Sequence, residues 1–92
     1  ETRECLHVGD ATAQTKKTME NIKMLLEEAG SCLDDICRIV VYLTDIRYRE
    51  DVYQEMGKWL KGVHPCSTGI VVTAFARPEW VVEIEVTAVI PD

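Results

Sequence analysis

The sequence predicts an α+β domain in which two helices cover one face of a mixed β-sheet. Three observations lead there. In two segments apolar residues recur every three or four positions, the period of an amphipathic helix. Three further segments are rich in β-branched residues and alternate between two faces. The order of a strand, a helix and another strand reads as a right-handed parallel crossover. The last strand returns after a short connection and is expected to run antiparallel to its predecessor. The 92 residues are read as one domain, 1–92, near the small end of the usual range.

The first helix opens at Asp10, whose carboxylate suits an N-cap. Its expected buried stripe is Met19, Ile22, Leu25, Leu26 and Ala29, with Lys16, Lys17, Glu20, Lys23, Glu27 and Glu28 on the wet side. Gly30 fits the position just past the helix end. Residues 36–43 read as a strand, with Ile36, Arg38, Val40 and Tyr42 on one face and Cys37, Ile39, Val41 and Leu43 on the other. Asp45 then caps a second helix with the stripe Val52, Met56, Trp59, Leu60 and Val63, closed by Gly62 and Pro65. Residues 69–75 read as a second strand, 76–80 as a turn and 81–90 as the last strand. Residues 2–8 read as the end of a strand or hairpin.

Both faces of the first two strands are largely apolar, and two helices cover one of them. An open apolar face of roughly several hundred Å2 is rare on monomers. The other side is therefore expected to be covered by another chain or by further N-terminal sequence, a second copy of the chain being the preferred reading. On the last strand Val82, Ile84, Val86, Ala88 and Ile90 form an apolar face, and Val81, Glu83, Glu85, Thr87 and Val89 form the opposite one. Glu83 and Glu85 thus sit on one side, roughly 7 Å apart. Either they lie on a solvated sheet face, or they sit at a subunit interface, where burial raises a carboxyl pKa toward acid–base use. Arg38 is expected to pair with one of them across the sheet, since a lone buried charge is costly.

The net charge is −6, from 10 basic and 16 acidic groups. Without a basic patch, nucleic acid and anionic membrane surfaces are not expected partners. No apolar run approaches the roughly 20 residues of a membrane span. The opening Glu1-Thr2-Arg3-Glu4 is charged, unlike a signal peptide, although the sequence does not start with Met. The four cysteines, Cys5, Cys32, Cys37 and Cys66, make no C-x-x-C pair. They read as free, mostly buried thiols of a cytoplasmic protein. His64 and Cys66 fit a metal pair less well than His64 fits the negative end of the second helix. No metal and no cofactor is expected.

Several segments together resemble one family. Gln14-Thr15, Asn21-Ile22 and Glu28-Ala29-Gly30-Ser31 resemble the Q-T…N-[IL]…E-A-G-[SA] helix of YjgF/RidA proteins. Leu33-Asp34-Asp35-Ile36 followed by Val41-Tyr42-Leu43-Thr44-Asp45 is similar to their L-D-D-[VI]…V-Y-L-x-D. Pro65-Cys66-Ser67-Thr68-Gly69 stands where the family usually reads P-A-R-S-x. Val82-Glu83-Ile84-Glu85-Val86-Thr87-Ala88 resembles its [VI]-E-I-E-x-x-A ending.

The resemblance implies a chorismate-mutase-like fold and a homotrimeric barrel with small-molecule clefts between subunits. It also implies that the family's N-terminal strands are missing from this sequence. In known members the clefts hydrolyse imines and enamines to a carbonyl compound and ammonia. An arginine grips the substrate carboxylate and a glutamate handles water. The glutamate matches Glu83. The arginine position holds Ser67, a cysteine position holds Gly69, and an asparagine of the second helix aligns with about Tyr53. The implied set is Glu83 as catalytic residue, with Ser67, Thr68, Gly69 and Tyr53 for substrate, Ser67 to Gly69 forming a small polar cradle. Arg47 or Arg77 of a neighbouring subunit is a candidate replacement anchor. Substrate choice is expected to differ, and a non-catalytic binding or chaperone-like trimer is the alternative.

Overall fold

The computed structural model describes residues 10–63 and 65–89. The expectations for residues 2–8, Cys5, His64, Ile90 and the family's N-terminal strands lie outside the described residues. Helix α1 spans Ala11–Glu28. The Asp10 carboxylate accepts from the Ala13 N–H at 2.9 Å, capping it as its sequence predicts. Gly30 takes φ 83° just past the helix end. The Gly30 N–H donates to the Glu27 carbonyl at 3.1 Å and the Ser31 N–H to the Leu26 carbonyl at 2.7 Å. These two bonds satisfy the last carbonyls of the helix, and glycine meets the left-handed turn without strain.

The buried stripe of α1 differs from the expected one. Ala11, Thr15 and Met19 are buried, and Ile22 and Leu26 pack against the same core. Leu25 is 59% exposed. Neighbouring helical residues lie about 100° apart, so only one of Leu25 and Leu26 can face the sheet. The stripe continues instead toward the N-terminus through Thr15. Its hydroxyl is buried because it donates to the Ala11 carbonyl at 2.7 Å, leaving no unpaired polar group.

Strand β1 spans Ile36–Leu43, helix α2 Arg49–Trp59, strand β2 Cys66–Val71 and strand β3 Val82–Ala88. The sheet order is β2-β1-β3. β1 pairs parallel with β2 and antiparallel with β3, which agrees with the crossover. One expectation is corrected. β2 begins three residues earlier than expected and stops at Val71, because its bounds follow the β1 residues it pairs with, from Arg38 with Cys66 to Leu43 with Val71. β3 runs antiparallel to β2 as expected, but its ladder is with β1, which lies between them. The connection carries the chain across the end of β1, where the Thr44 N–H donates to the Val81 carbonyl at 3.1 Å.

The core lies between the helices and one sheet face. Ile39, Val41 and Leu43 of β1 meet Val52 and Met56 of α2, Met19 of α1 and Val82 of β3. Trp59 packs at its margin and donates its indole N–H to Glu55 at 3.1 Å. Ile36 joins this core although simple alternation puts it on the other face. A bulge between Ile36 and Arg38 inserts Cys37 against the β3 ladder, which re-phases the strand. Cys37 is left exposed, and so are Cys32 and Cys66, all free thiols. The expected buried thiols are therefore surface groups. Among the described residues no helix is long and apolar enough to cross a membrane.

One buried side chain ties α1 to the start of β3. Gln14 donates from Nε2 to the Glu79 carbonyl at 3.0 Å and accepts the Val81 N–H at Oε1, also at 3.0 Å. It holds the turn that aims β3. Gln14→Leu leaves the buried Val81 N–H without that partner, and denaturant unfolding should register a loss of about 1–3 kcal/mol. An unchanged midpoint at equal protein concentration would show that the clamp carries no stability.

Asp45 caps the 3-10 turn Ile46–Tyr48 that leads into α2. The Arg47 side chain first, and then the Arg47 backbone N–H, hold its carboxyl at about 2, below the ordinary 3.8. A carboxyl lowered on folding stabilises the fold above its unfolded pKa and loses that contribution as pH falls through the folded value. The melting-temperature gap between wild type and Asp45→Asn should therefore shrink from about pH 4 down to about pH 2. A gap independent of pH over that window contradicts the assignment.

Candidate functional site

The register of β1 sorts the candidate residues onto two faces. Ser67 pairs with Ile39 and Gly69 with Val41, so both lie on the helix side of the sheet. Thr68 pairs with Val40, on the open side. Glu83 pairs with Tyr42 and Glu85 with Val40, also on the open side. Ser67 to Gly69 therefore do not form a cradle. They lie in an extended edge strand, where successive side chains alternate.

Within one chain Glu83 and Ser67 are far apart. They sit on strands separated by β1, three ladder positions apart, and face opposite ways. Their Cα separation is roughly 14 Å on standard strand spacings. The five predicted site residues thus fall into two groups, Ser67, Gly69 and Tyr53 on one side and Glu83 and Thr68 on the other.

On the open face the two glutamates differ. Glu85 accepts the Tyr42 hydroxyl at 3.0 Å. That bond, then burial and then the charges of Glu85 and Glu83 push the Tyr42 hydroxyl pKa up, against a smaller pull from Arg38. Glu83 has no hydrogen-bond or ion-pair partner among the described residues, and its carboxylate is free to meet a ligand. Arg38 does not pair with either glutamate. The Cys37 bulge sets Arg38 opposite Thr87, two pairs from Glu85. The open face is also more polar than expected. Val40 is buried and Ile70 is 40% exposed, and around them lie Arg38, Thr68, Glu83, Glu85 and Thr87. The earlier start of β2 brought Cys66 and Thr68 onto this face.

On the helix side, Tyr53 of α2 reaches the β2 edge. Its hydroxyl lies 3.3 Å from the Ser67 hydroxyl. A Cβ at Gly69 would come to 3.1 Å from the same phenol oxygen. Tyr53, Ser67 and Gly69 are thus one packing arrangement. A phenol from the helix fills space that larger side chains at 67 and 69 would claim. Arg49, one turn before Tyr53, places its guanidinium 4.6 Å from the ring centroid. Sequence reasoning passed over Arg49, although an arginine four residues before a tyrosine on a helix is a recognisable stacking pair. Arg47 is already held: its guanidinium donates to both Asp45 oxygens at 2.7 to 3.1 Å.

Glu55 is a buried carboxylate near this region. Burial pushes its pKa up, but the Trp59 indole and the Lys58 ammonium together outweigh burial and hold it below the ordinary value. Lys58 lies 3.2 Å from it. It belongs to the packing of α2 and is already paired. A shallow groove lined by Glu20, Lys23, Met24, Glu27 and Trp59 runs between the helices, away from both groups of candidate residues.

Comparison with known proteins agrees with this architecture. A family model described as Endoribonuclease L-PSP matches residues 1–90. Protein DfrA of Myxococcus xanthus is 32% identical over 81 residues, 88% of this chain and 61% of that protein. A RutC family protein of Pyrococcus horikoshii is 30% identical, covering 87% of this chain and 63% of that protein. The chain spans less than two thirds of the length of these curated relatives. A Mycobacterium tuberculosis member of the YjgF/YER057c/UK114 family superposes with a TM-score of 0.85 at 32% identity, over 88% of this chain and 69% of that one. RidA from an Antarctic Psychrobacter superposes at 0.82 and 31% identity, over 98% and 68%. With two helices on a mixed sheet, the family's sequence pattern and these structural neighbours, the chain belongs to the endoribonuclease L-PSP family of YjgF/RidA proteins.

Proposed function

We propose that the protein works as a homotrimer whose inter-subunit clefts hydrolyse a reactive imine or enamine to a carbonyl compound and ammonia. The observation that carries this reading is Glu83. Its carboxylate stands unpartnered on the open sheet face while its neighbour Glu85 is tied to Tyr42. A carboxylate in that state can take a proton from water as the oxygen adds to the C=N carbon. The nitrogen takes that proton from Glu83, giving a neutral carbinolamine; Glu83 then takes the hydroxyl proton as the carbonyl forms and passes it to the nitrogen, the C–N bond breaks and ammonia leaves.

The two-face arrangement supports the trimer. Ser67, Gly69 and Tyr53 cannot share a pocket with the Glu83 of their own chain. A second copy docked against the open face supplies a Glu83 to the β2 edge of the first. The likeness to a protein named RidA supports the reaction class. Burying the open face between copies also shelters Ile70 and the middle of the sheet. With a net charge of −6, the clefts suit a small molecule better than a nucleic-acid backbone. The same acidity disfavours an anionic membrane. The fold uses no metal or cofactor in this scheme, and a reducing cytoplasm suits its exposed thiols.

Ser67 favours a second reading, a binding or chaperone-like trimer without turnover. A serine in contact with Tyr53 is a neutral donor, where relatives use a guanidinium. An imine panel read by ammonia release, alongside ligand-induced thermal shift, separates the two. Glu83→Gln should cut ammonia release at least about a hundredfold, the usual scale of a lost general base, and leave the trimer intact by light scattering. Deamination at the wild-type rate in this variant would refute the mechanism, and ligand stabilisation without any turnover would favour the second reading.

A further inference from the structure

We propose that Arg49 is the specificity-determining residue of this site, gripping the carboxylate of a 2-imino or 2-keto acid from the helix in place of residue 67. The proposal rests on the deaminase reading for its substrate, but its evidence is separate. The Arg49 guanidinium lies 4.6 Å from the Tyr53 ring centroid. Stacking of this kind fixes the guanidinium against the ring and leaves its N–H groups free to donate in-plane to a carboxylate.

The two hydroxyls below it complete a donor set. Tyr53 and Ser67 approach to 3.3 Å. Each hydroxyl carries one proton, and one donates to the other, so a single O–H is left to point at a ligand. Gly69 keeps the phenol in place by offering no side chain, since a Cβ there would stand 3.1 Å from the phenol oxygen. A guanidinium and a hydroxyl pair with no carboxylate among them form a site that attracts an anion.

The remaining cations of α2 and its approach are engaged. Arg47 is gripped by Asp45 at 2.7 Å, and Lys58 by Glu55 at 3.2 Å. Arg38 lies on the open face, opposite Thr87. Arg49 has no ion-pair partner among the described residues. Of the candidate anchors it is the one that meets Ser67, through a shared tyrosine. Moving the charge from the strand to the helix shifts the carboxylate toward α2.

The full chain is titrated by NMR with pyruvate and with pyruvamide, its neutral counterpart. Wild type should bind pyruvate and discriminate against pyruvamide by at least about tenfold. Arg49→Met should erase that discrimination, and Arg49→Lys, which keeps the charge and loses the planar fork, should restore part of it. Tyr53→Phe keeps the stacking ring and should weaken pyruvate binding only a few-fold. In turnover, Arg49→Met should raise KM for a carboxylate-bearing imine about ten- to a hundredfold and change kcat little. Equal affinity of wild type for both probes, no pyruvate binding, or an unchanged preference in Arg49→Met each overturns the proposal. The two readings fail separately. Pyruvate binding that depends on Arg49 without any ammonia release keeps the anchor and removes the deaminase, while ammonia release indifferent to Arg49 does the reverse.

Discussion

The pairing of β1 with a strand on each side is the constraint from which the rest follows. Ile39, Val41 and Leu43 must face the helices, because they supply the centre of the core. Once they do, the parallel ladder to β2 and the antiparallel ladder to β3 leave no choice of face for any neighbour. A slip of one residue would turn Glu83 into the core and Ile84 out of it. Burying an unpaired carboxylate there costs far more than the strand gains from any alternative pairing. The hydrophobic core therefore fixes the chemistry of the open face without touching it.

Two local devices protect that register. The Cys37 bulge absorbs one surplus residue at the entry to β1, so Ile36 reaches the core and Arg38 stands opposite Thr87, two pairs from Glu85. Gln14 holds the far end, where a buried amide bonds both the carbonyl of Glu79 and the N–H of Val81. With both ends fixed, Val82 begins β3 in the phase that exposes Glu83. Gln14 is part of the helix segment that resembles the family pattern. Its physical role is to hold the start of a strand distant in sequence, which explains a buried amide on the core-facing side of the helix.

The existence of both helices, the caps of α1 and the strand β1 were legible in the sequence because each is decided locally, whereas Asp45 caps the turn before α2 and not the helix itself. Asp10, Gly30 and the ICRIVVYL run carry their own instructions in a few residues. What was not legible depends on partners distant in sequence. The bounds of β2 follow β1. The start of β3 is held by a bond to Gln14, more than sixty residues away. Leu25 and Leu26 satisfy the same periodic pattern, and only the sheet decides between them. The site was half legible. Glu83 could be placed on a face by counting, but the contact of Tyr53 with Ser67 and the space at Gly69 require the crossing of a helix over a strand.

That crossing changes how the altered positions are understood. Taken one at a time, a serine, a glycine and a tyrosine in place of an arginine, a cysteine and an asparagine look like the decay of a site. Packed together they form one compensated unit, since the phenol occupies the volume that the other two residues give up. Here the hydroxyls meet, the ring carries a guanidinium, and no buried polar side-chain atom among the described residues is left unpaired. The three positions therefore form one set of contacts at the exposed β2 edge, a helix phenol meeting a strand hydroxyl where Gly69 offers no side chain, with the Arg49 guanidinium over the ring.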